Sequence, residues 1–196
     1  GFRRFPQWMW RNTVVRDFVR WLRRWNDARE PDARCGFYGL DLYSLHASIE
    51  AVLRYLEDVD PKAAVRARER YACFEMTDDP QAYGYAAARD IIPGCEDEVV
   101  RQLNELRHCE DEYSARGADD FFSAEQNARL VANAERYYRS MFRGRVSSWN
   151  LRDTHMVETL ESVCDYLGRT GETKLVVWAH NSHLGDARAT QMGRGG

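Results

Sequence analysis

A chain of 196 residues that is 44% hydrophobic and 12% aromatic is long and apolar enough to bury a core, which excludes a disordered segment. Its 28 basic and 31 acidic residues give a net charge of −3, so no general attraction draws it to nucleic acid or an anionic membrane. Lys62 and Lys174 are the only lysines, and the 26 arginines therefore read first as a coding bias and have to be argued one at a time.

In chain order, Val14, Val15, Phe18, Leu22 and Trp25 recur at helical spacing while Arg16, Arg20 and Arg23 line another face. This predicts an amphipathic helix over Asn12 to Arg29 whose apolar stripe faces a core, because Asp17, Asp27 and Glu30 interrupt the basic face. "CGFYGLDLYS" then offers a short buried strand from Gly36 to Leu40, followed by a helix through Ser44, Leu45, Ile49, Val52, Leu53 and Leu56. In "VDPKAAV" Asp60 is placed to cap and Pro61 takes the first helical position, where its missing N–H costs nothing. Further helices are predicted around Gln81 to Arg89, Glu96 to Ser114 and Ser123 to Arg143, with Gly117, Gly144 and Gly168 at helix stops. Near the end, "KLVVWAHNSHLGDAR" reads as a second buried strand that delivers two histidines into a polar turn. The pattern as a whole predicts an α/β, helix-rich fold, a fragment of a mainly parallel sheet with a helical insertion.

Cys35, Cys73, Cys95, Cys109 and Cys164 are an odd set without CxxC spacing, which fits reduced thiols in a cytoplasmic protein. No run of about 18 apolar residues is present to span a membrane, and nothing resembles a signal peptide. The chain opens at Gly1 straight into "FRRFPQWMW" and closes on "GRGG" after a periodic segment, so it reads as one compact but partial domain over 1–196.

Chemistry is expected where the two predicted strands end, since ligands gather outside the carboxyl ends of parallel strands. Asp41 follows the first strand, either as a helix cap or as a site residue, and His180 follows the second, as a site or a surface histidine. In "WNLRDTHMVETLESVCDYLG" the stripe Met156, Leu160, Val163 and Leu167 runs back to Arg152. An inward guanidinium needs a partner, so Arg152 should meet Asp41, another carboxylate or a substrate. His155 falls on a flanking stripe with Thr159 and Ser162 and is expected half-exposed, while His46 and His108 are expected to be structural.

No G-x-S-x-G elbow, phosphate loop, G-x-G-x-x-G or H-E-x-x-H is present. His180 and His183 supply two metal ligands at most, with Asp186 as a third, and a catalytic zinc wants three well-placed ones, so neither metal nor other cofactor is expected.

Several long blocks, "FPQWMWRN", "GFYGLDLYSLHASIEAVLRYLEDVDP", "NARLVANAERYYRSMF", "SWNLRDTHM" and "VVWAHNSHLGDARAT", resemble the erythromycin esterase family in this order over practically the whole chain. The resemblance implies an α/β core with a large helical part, and metal-independent hydrolysis of a macrolide lactone or another ester by a water that a histidine activates. On the matching motifs it implies His180 as an active-site histidine, supported by His183 and Arg152, with Asp153 and Asn181 toward the substrate, and Asp41 joins that substrate side by its place after the first predicted strand. The family's Gly-Glu-x-x-His-Gly segment, which supplies the presumed general base, is not in this sequence, so a chain limited to these residues is expected to be inactive. A small-molecule ester or lactone is the expected partner, with neither nucleic acid nor membrane; the alternative is a non-catalytic ligand-binding or interaction protein, or a hydrolase of an unrelated ester.

Overall fold

A computed structural model describes residues 7–77, 79–142, 145–169, 171–186 and 188. The chain divides into two compact units, Gly1–Gly39 and Leu40–Gly196.

In the first unit, α1 (Gln7–Trp10) leads into α2 (Thr13–Asp27). Asn12 joins them: its side-chain oxygen accepts from the Val15 N–H at 2.9 Å while its amide donates to the Met9 carbonyl at 2.8 Å. Caps of this kind are worth about 1 kcal/mol, because they satisfy a helix N–H that has no partner inside the helix. The predicted stripe of α2 is helical as expected but is not core-facing throughout. Val15 is buried, whereas Val14, Phe18, Trp21 and Trp25 are exposed, Phe18 stacking on Trp21, Trp21 lying against Trp25, and the Arg29 guanidinium resting on Trp25. At the end of α2, Asn26 exchanges two hydrogen bonds with the backbone of Cys35.

The second unit is a helical assembly around α8. Its elements are α3 (Leu45–Val59), α4 (Pro61–Tyr71), α5 (Pro80–Ala88), α6 (Glu96–His108), α7 (Glu110–Ser114), α8 (Ala118–Ser140), α9 (Arg145–Gly168) and the short α10 (Asn181–Leu184). Asp60 caps α4 by accepting from the Lys62 and Ala63 N–H groups, with Pro61 at the first position. Helix α8 packs against α3, α5, α6, α7 and α9. It buries Phe121, Ala124, Ala128, Val131, Ala134 and Tyr138 at spacings of three and four, and the alanines let its neighbours come close. Gly84 of α5 marks the tightest approach, since a Cβ there would lie 2.3 Å from the Tyr138 carbonyl oxygen. Beneath it the Tyr83 hydroxyl accepts from the Cys95 N–H and donates to the buried Glu135, which also holds Arg139. Burial, with the Glu135 charge beside it, pushes the Tyr83 phenol far above its ordinary range.

The expected sheet is overturned. Among the described residues no strand occurs, and the fold is all-helical. Gly36–Leu40 and Lys174–Ala179 carry strand-like sequence but form no strand, leaving Phe37, Val176 and Trp178 exposed. An apolar run fixes an extended preference only; a strand needs a neighbour to take its N–H and C=O groups. Other departures are local. The predicted Glu96 to Ser114 helix breaks at Cys109, and α8 starts at Ala118, five residues before Ser123. Gly117 lies between α7 and α8, its N–H bonded to the Ser114 carbonyl where α7 ends, Gly168 is the last residue of α9, and Gly144 and Arg143 lie outside the described residues. Cys73 and Cys95 form a disulfide, against the expectation of reduced thiols throughout, while Cys35, Cys109 and Cys164 are free. Spacing alone missed the pairing because the two cysteines are 22 residues apart and meet only when α5 folds between them. No helix among the described residues is long and apolar enough to cross a membrane.

Candidate active site

Helix α9 builds the site from one face. Trp149, Arg152 and Asp153 lie at i, i+3 and i+4, so their side chains emerge together. Arg152 donates to Asp41 through Nε at 2.9 Å and Nη2 at 2.6 Å, a bidentate pair that ties the segment before α3 to α9. Its guanidinium lies 4.4 Å from the centre of the Tyr43 ring and 5.9 Å from that of Trp149. Burial pulls the Arg152 pKa down, but the hydrogen bond and charge of Asp41 outweigh it and hold the group above its ordinary value. Asp41 also accepts from the Leu42 N–H, while Ser44 takes the cap position of α3, so Asp41 is an ion-pair partner and not the cap.

Asp153 takes a different partner. Its Oδ1 lies 2.7 Å from Nδ1 of His183, whose imidazole is nearly parallel to the Trp149 ring, 10° between planes and 4.9 Å between centres. The His183 side chain is only 10% exposed, a deep position for a residue on a four-residue helix. A carboxylate can only accept, so Nδ1 carries the proton and Nε2 of the neutral ring keeps its lone pair.

His180 is locked the other way. It precedes α10 as its cap, and its Nδ1 accepts from the Ser182 N–H at 3.2 Å, with the Ser182 hydroxyl 2.8 Å away. A neutral His180 therefore carries its proton on Nε2. Three residues apart, one histidine is set as an acceptor and the other as a donor. His180 is exposed, and so is Asn181, which opens α10 and whose carbonyl accepts from Gly185.

Among the described residues no group of three or more His, Cys, Asp or Glu gathers closely enough to hold a metal ion. Asp186 pairs with Arg188 instead of joining the histidines.

A family model described as erythromycin esterase matches residues 1–196, the whole chain. The chain belongs to the erythromycin esterase family. No solved structure matches it. Within this esterase family domain, the described structure brings together Arg152 with Asp41 and His183 with Asp153, and sets His180 and Asn181 on the exposed side of the same turn.

Sequence reasoning missed two members of this neighbourhood. Trp149 reads in the sequence as one more helix residue, although its place four residues before Asp153 is the readable sign that both face one way. His155 was expected half-exposed and is 2% exposed, because the buried face of α9 runs through Ser148, His155, Thr159 and Val163 and meets polar partners on α8. His155 Nδ1 accepts from the Asn133 amide at 2.9 Å. Burial, then the nearby Arg129 charge, lowers its pKa to about 4 against the weaker pull of Asp41, so it is neutral near pH 7. Of the other histidines, His46 is half-buried on α3 and His108 ends α6 on the surface.

Proposed function

We propose that this family member hydrolyses an ester bond, a macrolide lactone or a related carboxylic ester, with Asp153 and His183 handling the proton in place of the Gly-Glu-x-x-His-Gly base that this sequence lacks, a reading that sets aside the expected inactivity. The reading is carried by one observation: the 2.7 Å contact of Asp153 with His183 Nδ1, which leaves Nε2 as the basic atom. Asp153 then has the duty that an orienting carboxylate has in other hydrolases, holding the tautomer and stabilising the imidazolium.

In the reaction, Nε2 of His183 takes a proton from water as the water oxygen bonds to the ester carbonyl carbon. The carbonyl electrons move onto oxygen, and His180, with its proton on Nε2, is the donor that steadies that charge. Collapse of the tetrahedral species breaks the carbon–oxygen bond to the alcohol, and the proton on His183 passes to the leaving alkoxide, giving acid, alcohol and the starting imidazole. Proton handling of this kind contributes about 10²- to 10⁴-fold. Arg152 has Nε and Nη2 committed to Asp41, so its part is to fix Asp41 and α9 and to add a positive field beside the site, leaving oxyanion donation to His180.

The test is a panel of macrolide lactones and simple esters incubated with the protein and read by mass spectrometry for the product that has gained one water. Turnover of any ester supports the reading and its pattern names the substrate. Saturable binding of a macrolide without turnover would replace it with a ligand-binding role.

A further inference from the structure

We propose that Trp149 is the positioning residue that sets the plane of the His183 ring, and hence the direction of the Nε2 lone pair. The proposal rests on the reading of Asp153 and His183 as the proton-handling pair, and it adds to that pair a residue that acts only through His183.

His183 needs such support because its own element is too short to give it. Helix α10 has four residues, and the backbone bonds that close it include His183 N–H to the His180 carbonyl and Gly185 N–H to the Asn181 carbonyl. One turn cannot hold a side chain within the fraction of an ångström that proton transfer requires. The precision has to come from α9, a helix of 24 residues.

Helix α9 makes two contacts with the imidazole, and they constrain different freedoms. The Asp153 oxygen at 2.7 Å fixes Nδ1 but leaves the ring free to swing about the Nδ1···Oδ1 axis. The Trp149 indole, 10° from parallel and 4.9 Å between centres, removes that swing because any rotation would drive the imidazole edge into the indole face. Since Trp149 and Asp153 sit at i and i+4, both constraints arrive from one rigid surface and move together. The indole is itself bounded by the Arg152 guanidinium, which Asp41 holds. The indole π face also favours the imidazolium formed during proton transfer, an attraction that an aliphatic side chain of the same volume lacks.

The experiment compares wild type with Trp149→Phe, which keeps a ring face, and Trp149→Leu, which fills the space without one. Trp149→Met stands in if circular dichroism shows that the leucine variant is unfolded. The first readout is the downfield Nδ1–H proton of His183 in NMR spectra of protein with labelled histidine, assigned by its disappearance in His183→Gln. Expected is a signal retained in wild type and Trp149→Phe and lost in Trp149→Leu. The second readout is ester hydrolysis, where Trp149→Leu should lower kcat by roughly tenfold to a hundredfold with KM little changed, and Trp149→Phe should recover most of it. A Trp149→Leu protein with the wild-type signal overturns the proposal, as does a rise in KM alone, which would make the indole a substrate contact. Unchanged hydrolysis in His183→Gln would instead defeat the reading of the pair while the NMR comparison still decides what orders the ring.

Discussion

Arg152 and Asp41, 111 residues apart in sequence, meet in a two-pronged ion pair that closes α9 onto the segment ahead of α3. The Arg152 side chain is 13% exposed and Asp41 37%, so the pair is partly screened and is worth less than a fully buried one. Asp41→Asn is expected to cost about 1 to 3 kcal/mol, measured as a lower urea midpoint. Arg152→Lys should cost a similar amount, since an ammonium keeps the charge but cannot reach both carboxylate oxygens in the plane of Asp41. Equal midpoints for wild type and both variants would remove the pair from any part in holding the site.

His155 makes stability depend on pH. Its folded pKa lies at about 4, below the ordinary 6.5, so the unfolded chain takes up a proton first as pH falls. The stability contribution is complete above pH 6.5 and is lost as pH drops toward 4, about 3 kcal/mol over the whole interval. Urea titrations at pH 7 and pH 4.5 should show this fall in wild type and a shallower one in His155→Gln. A His155→Gln protein with the wild-type slope would place the acid sensitivity elsewhere.

The Cys73–Cys95 disulfide closes a loop over α5, spanning 22 residues. Constraint of the unfolded chain by a loop of that length is worth about 3 kcal/mol. Reductant should therefore lower the melting temperature of the wild-type protein, and Cys73→Ser should melt low with or without reductant. A wild-type melting temperature indifferent to reductant would argue that the bond contributes nothing in solution.

The helices were readable where local chemistry decides them: Asn12 before α2, Asp60 and Pro61 at the start of α4, and the apolar spacing that runs into α3. Extended runs were not, because "GFYGL" and "LVVWA" look alike whether or not another segment supplies the hydrogen bonds that make a strand. Arg152 was legible through its phase on α9, and the bidentate contact with Asp41 is among the partners its inward direction required. His155 was misjudged because periodicity weighs apolar residues, and the buried face of α9 is partly polar, paired with Asn133 and Arg129 of α8. The different settings of His180 and His183 lie beyond sequence altogether, since a tautomer is fixed by which atom each Nδ1 meets.

The central claim, that the Asp153–His183 pair handles the proton of ester hydrolysis, is tested most directly by kcat of His183→Gln on whichever ester the wild-type protein turns over. Glutamine keeps a polar side chain of similar length but cannot accept and return a proton at neutral pH. The predicted result is a loss of about 10² to 10⁴ in kcat. A His183→Gln protein that is folded and hydrolyses the ester at the wild-type rate would contradict it.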